Sequence, residues 1–191
     1  MRKIVFDIET TNTFQEAGSS DPVDLDLAVV CIHDSETDEY SSYTKTELNQ
    51  LWPILEQADM LIGYNSDHFD IPLLNKYYAG DLMHIKSLDL LTEIRASLGR
   101  RVKLDDIAQA TLGEKKSADG LQSIVWWREG EYQKVIDYCI QDVKVTKNVY
   151  DFARKNGHVK CLISGAVQDI KLKTGNWEDI HNDGLAPTFG F

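Results

Sequence analysis

The sequence predicts an α/β domain, a mixed β-sheet with helices packed on it. Three observations lead there. The first is an apolar, β-prone run, Ile4, Val5, Phe6 and Ile8, followed by two more extended segments at 27–32 and 40–43. The second is an alternation of short apolar strands with helical patterns between residues 59 and 90. The third is a long helical stripe from residue 131 to about 155. Strands joined by short turns, then strands alternating with helices, then helices, make a mixed sheet covered by helices.

Composition bounds the rest. The 191 residues are 42% hydrophobic, enough for one sizeable core and too few for two ordinary domains. Cys31, Cys139 and Cys161 are odd in number and far apart, so they form no disulfide framework or zinc spacing, which fits a reducing compartment. Arg2 and Lys3 are followed by only three apolar residues before Asp7, which is no signal peptide. No apolar run approaches the roughly 20 residues of a membrane span. A soluble, cytoplasmic protein is expected. The net charge is -11, and residues 1–93 hold 5 basic and 18 acidic side chains. Such a chain is a poor general binder of nucleic acid, because nonspecific affinity comes from Lys and Arg meeting phosphates. Any nucleic-acid substrate needs bound cations and a local basic surface.

Taken in order, residues 3–11 read as a central strand carrying Asp7 and Glu9. Residues 12–24 are a loop rich in turn formers, with Gly18-Ser19-Ser20-Asp21-Pro22 inside it. Residues 27–32 and 40–43 complete an antiparallel meander. Thr46 is the expected N-cap of a helix through Leu48, Leu51, Trp52, Ile54 and Leu55, with Pro53 weakening or kinking its interior. Residues 59–65 form a strand entering a polar loop. The next helix starts near Ile71-Pro72, with Asp70 as N-cap, carries Leu73, Leu74, Tyr77 and Tyr78, and stops at Gly80. Residues 85–88 are a fifth strand. Helical patterns follow at 90–98 and 104–112, with a short turn at 121–127. The long helix from 131 closes at Asn156-Gly157. Segments 159–163 and 167–172 flank Ser164-Gly165 as a hairpin, and the polar tail from Asn176 has no assignable structure. The expected organisation is a domain over 1–155, with a hairpin and tail over 156–191 packed on it.

Three stretches carry chemistry. Residues two apart on a strand share a face, so Asp7 and Glu9 project side by side. Two carboxylates held that close repel unless a cation lies between them, although a strand end running into a solvated loop needs no such explanation. Tyr138 and Asp142, four apart, share the margin of a helical stripe formed by Tyr132, Val135, Ile136, Cys139, Ile140 and Val143; a boundary Asp paired with Lys is the plainer alternative. The strand-to-helix loop 63–72 contains Asn65 and Asp70, and ligands collect at such loops in α/β sheets. A turn former and a helix cap would also use those two residues.

Together these stretches resemble the DEDD 3′–5′ exonucleases of ribonuclease H-like fold, and in particular the proofreading exonuclease domains of B-family DNA polymerases. The family's first motif appears as Asp7-Ile8-Glu9-Thr10. Its second, Asn-x-x-x-Phe-Asp, appears as Asn65-Ser66-Asp67-His68-Phe69-Asp70. Its third, Tyr-x-x-x-Asp, appears as Tyr138-Cys139-Ile140-Gln141-Asp142. The His-type subclass has a His five residues before the last Asp. Here that position is Asp137, which places the resemblance in the Tyr-type subclass. The likeness covers roughly residues 1–155.

The resemblance implies a five-stranded mixed sheet with helices on both faces, and a metal-dependent 3′–5′ exonuclease acting on single-stranded DNA and releasing 5′-mononucleotides. It implies two divalent cations, Mg2+ or Mn2+. Asp7 would bridge both, Glu9 and Asp142 would hold the one that activates water, and Asp70 would support the second. Tyr138, with a solution pKa of about 10, is a poor base at neutral pH and is expected to orient the attacking water. Asn65 and Phe69 are expected to shape the cleft, and the backbone at Thr10 and Thr11 to meet the 3′ end. Arg95, Arg100, Arg101 and Lys103, then Lys115, Lys116 and Trp126-Trp127-Arg128, are candidates for contacting the strand, though charge clusters are ordinary on surfaces. A 3′–5′ exoribonuclease and a non-catalytic nucleic-acid-binding module of the same fold remain open, as does a polymerase or helicase partner.

Overall fold

The computed structural model describes residues 1–114 and 120–179. Lys115 and Lys116, and residues 180–191 of the tail, lie outside the described residues. The elements run β1 (Lys3–Thr10), α1 (Phe14–Ala17), β2 (Leu27–Asp34), β3 (Glu39–Thr44), α2 (Leu48–Glu56), β4 (Met60–Gly63), α3 (Asp70–Asn75), β5 (Lys86–Asp89), α4 (Leu90–Leu98), α5 (Leu104–Leu112), α6 (Gly120–Arg128), α7 (Tyr132–Asn156), β6 (His158–Ile163) and β7 (Ala166–Lys171). The expected five-stranded mixed sheet is present, in the order β3-β2-β1-β4-β5. Strands β1, β2 and β3 form the antiparallel meander, while β4 and β5 join it in parallel.

β1 sits at the centre because it is apolar on both faces. Ile4, Phe6 and Ile8 pack with Leu48, Leu51 and Leu55 of α2 and Ile71, Leu73 and Leu74 of α3. Val5 faces the other way, with Cys31, Ile62, and Val135, Cys139 and Val143 of α7. The period of two therefore sends Asp7 and Glu9 to the α7 side. Val159 and Cys161 of β6 and Ile170 of β7 bury in that same core, so the hairpin packs on the α7 layer. Its two-residue turn has φ of 50° at Ser164 and 82° at Gly165, the left-handed pair that hairpin twist favours.

Several local expectations are corrected. Thr46 does not cap α2. Glu47 takes the cap position, and its carboxylate turns back to accept from the Thr44 N–H and hydroxyl at 2.9 and 2.6 Å. Pro53 lies inside α2, where the sequence places it. Asp70 is the first residue of α3 and makes no cap, because its side chain turns toward β1. α3 ends at Asn75 and not near Gly80, because the Asn75 amide closes the return loop, donating to Asp81 and accepting from the Leu82 N–H. The stretch at 121–127 is a full helix, α6. Tyr132 leaves the buried stripe: it is 53% exposed and its ring packs at 4.7 Å on Trp127.

Gly63, the last residue of β4, backs directly onto buried Ser66, and a Cβ there would collide with the Ser66 side chain. Gly63→Ala is therefore expected to destabilise the protein by about 1–3 kcal/mol in urea melts, because β4 and the 64–69 loop must separate.

Candidate active site

Cys139 of α7 sits directly against β1, its thiol 3.4 Å from the Asp7 backbone oxygen and 3.6 Å from Asp7 Oδ2. A small side chain here lets α7 approach the strand. Asp142, three residues further along α7, then meets Asp7 and Glu9. One carboxylate oxygen from each of the three lies within 4.8 Å of the other two. Asp70, at 4% exposure, is not part of this trio, although its charge adds to the repulsion on Asp7 and Glu9. Backbone N–H groups of Ile8 and of Asp70 itself face its carboxylate.

The electrostatics follow from crowding acids into a dry place. Burial, then the charges of Asp70, Asp142 and Glu9, push the Asp7 carboxyl well above its usual range. Burial raises Glu9 to about 8; a hydrogen bond from Ser123 opposes the rise and the charges of Asp142 and Asp70 add to it. Burial also raises Asp70 to about 8 against its N–H partners. A hard divalent cation takes oxygen ligands and relieves this repulsion, so the donor set of Asp7, Glu9 and Asp142 fits such a cation.

The other expected residues divide between a cavity beside Glu9 and a separate one around Asn65. Asn65 has φ of 68°, and this left-handed turn is pinned by Asp89, whose Oδ1 accepts from the Asn65 N–H at 2.8 Å. The same carboxylate caps α4 through Leu91 and Thr92. Arg101 donates to Asn65 Oδ1 at 2.6 Å. Lys103 shares a shallow cavity with Asn65 and Arg101, whereas the charge of Arg100 is felt by Cys161 on the hairpin. Phe69 meets Phe14 edge-on at 6.0 Å. Both line a mostly apolar cavity of about 340 Å³ beside Glu9, with Ile8, Thr10, Leu121 and Ile124. The Thr11 N–H donates to the Asp26 oxygen and its carbonyl accepts from Arg128. Tyr138 is half-buried and meets Trp126 edge-on at 6.3 Å.

Two residues were missed by the sequence reading. Asp89 carried a signal, an acid immediately before a helical run, which marks a cap but says nothing of the Asn65 loop. Ser123 carried none. It is fully buried and its hydroxyl lies 2.5 Å from Glu9 Oε2.

The central β1 flanked by β2 and β4, with a carboxylate trio between β1 and a covering helix, defines a ribonuclease H-like α/β domain with a candidate metal centre. The family model of the RNase_H superfamily matches residues 4–154, and the chain belongs to that superfamily. No functionally curated protein matches it. Among solved structures it is similar to the family B DNA polymerase from the hyperthermophilic archaeon Pyrobaculum calidifontis, with a TM-score of 0.63 and 18% identity over 80% of this chain. The chain spans 24% of that polymerase's length, and at this identity the likeness is one of fold. Among the described residues, no helix is long and apolar enough to cross a membrane.

The raised carboxyls fix a pH dependence. Glu9 and Asp70 bind protons more tightly folded than unfolded, so their contribution to stability is complete below about pH 4 and is lost as pH rises toward 8. Carboxyls held low, such as Glu178 at about 2, titrate below that window. In chelator, the melting temperature should fall between about pH 5 and pH 8.5, and Mn2+ should restore it most at the upper end.

Proposed function

We propose that the chain is a metal-dependent 3′–5′ exonuclease that hydrolyses single-stranded DNA to 5′-mononucleotides. The observation that carries this reading is the convergence of Asp7, Glu9 and Asp142 on one point, with Tyr138 one turn before Asp142 on the same helix. Phosphodiester hydrolysis needs an activated water, charge neutralisation at phosphorus and a stabilised leaving oxygen, and a pair of divalent ions supplies all three. Asp7, Glu9 and Asp142 would hold them, with Asp70 supporting from beyond the trio.

The chain's own residues do the rest. The Tyr138 hydroxyl orients the attacking water by hydrogen bond. The apolar cavity lined by Phe14 and Phe69 accepts the terminal base, and Thr10 and Thr11 border the 3′ end. Asn65, Arg101 and Lys103, with Arg100 beyond them, supply polar and positive groups for the upstream strand, as a chain of net charge -11 requires. DNA is favoured over RNA on the fold shared with part of a DNA polymerase. That likeness, and the acidic surface, support delivery of the strand by a polymerase or helicase partner. Three free, buried cysteines support a cytoplasmic setting.

The test is a digestion ladder on matched DNA and RNA, each labelled at the 3′ or the 5′ end, with Mg2+, Mn2+ or EDTA. Stepwise shortening of 5′-labelled DNA, abolished by EDTA, is the expected result; intact strands in both metals contradict it. Asp7→Ala and Asp142→Ala should each lower the rate roughly a thousandfold or more, about 4 kcal/mol of transition-state stabilisation, with the circular dichroism unchanged.

A further inference from the structure

α6 touches the site at three places. Ser123 lies 2.5 Å from Glu9 Oε2, Trp126 packs on Tyr138, and Arg128 reaches across to the loop after β1. That last contact is tied down. Arg128 donates to both Glu16 oxygens at 2.8 Å and to the Thr11 carbonyl at 3.2 Å, and Glu16 is itself held by a capping box with Thr13. The helix is thus seated between the end of β1 and α7.

Ser123 stands out. Serine is indifferent to helix interiors, and a fully buried hydroxyl must find a partner. Its partner is a carboxylate 114 residues away in the chain, at a distance typical of a charge-assisted O–H···O bond. The hydroxyl donates to Glu9 Oε2, and it must keep that role when a bound cation holds the carboxylate ionised, since an ionised carboxylate only accepts. A glutamate side chain has three rotatable bonds, so holding one oxygen fixes where the other points. We propose that Ser123 is a positioning residue for the metal centre: it holds Glu9 Oε2 so that Oε1 is presented to a divalent cation beside Asp7 and Asp142. Partners of this kind orient ligands, and losing one typically weakens metal binding about 10–100-fold.

The inference rests on the nuclease reading, and its test includes a readout independent of cleavage. Free Mn2+ is followed by electron paramagnetic resonance as wild-type, Ser123→Ala, Ser123→Cys and Ser123→Thr proteins are titrated without substrate. Ser123→Ala should weaken Mn2+ binding about 10–100-fold. Ser123→Cys, which nearly keeps the shape with a weaker donor, should move the same way, and Ser123→Thr, which keeps the hydroxyl, should recover most of the loss. On labelled oligonucleotide at limiting Mn2+, kcat should fall in step while KM for the strand stays within about twofold. Ser123→Ala binding Mn2+ as tightly as wild type overturns the proposal, as does a Thr variant impaired as much as the Ala variant. Wild type that fails to bind Mn2+ overturns the nuclease reading as well. Wild type that binds and cleaves beside an unaffected Ser123→Ala overturns only the role of Ser123.

Discussion

Repulsion among carboxylates at the end of β1 is the constraint on which the structure turns. Asp7 and Glu9 leave a strand buried on both faces, and the sheet's alternation points both at α7. α7 in turn brings Asp142 to them. Asp7 and Glu9 are both pushed toward their neutral forms by burial and by the neighbouring charges, a crowding of acids that the rest of the fold holds in place. Sites of this kind bind cations well because the repulsion is already present before the ion arrives.

Much of the fold's packing is directed at holding that arrangement. The core between the sheet and α7 uses Cys139, a small side chain, where the helix must approach Asp7. Asp89 spends one carboxylate on two tasks, capping α4 and pinning the Asn65 loop. Its hydrogen bonds favour the charged form and burial works against them, so its pKa stays raised. α6 is tied to α1 and to the loop after β1 through Arg128. The cavity beside Glu9 has an apolar wall at Phe14 and Phe69, and Asn65 and Arg101 line a second, separate cavity.

What the sequence disclosed was what depends on short-range periodicity. Two acids at i and i+2 on an apolar strand, and Tyr138 and Asp142 at i and i+4 on a long amphipathic helix, are visible because the repeat of each element sets their direction. The sheet's meander and parallel extension followed from turn formers and apolar runs. What stayed hidden depends on partners distant in the chain. Ser123 looks like an ordinary helical serine until Glu9 is placed beside it. Asn75 ends α3 early because its amide finds Asp81 and Leu82. Glu47 displaces Thr46 as the cap residue by folding back on Thr44. Tyr132 obeys helical spacing but lies in the first turn of α7, where Trp127 receives it in place of the sheet.

The most direct measurement is anomalous diffraction from crystals soaked in Mn2+ at about pH 8, where the buried acids approach their charged forms. The expected density is a cation ligated by Asp7, Glu9 and Asp142, with a second cation sharing Asp7. A map with no anomalous peak between β1 and α7, or one in which the three carboxylates point apart, would contradict the assignment of this cleft as a metal centre.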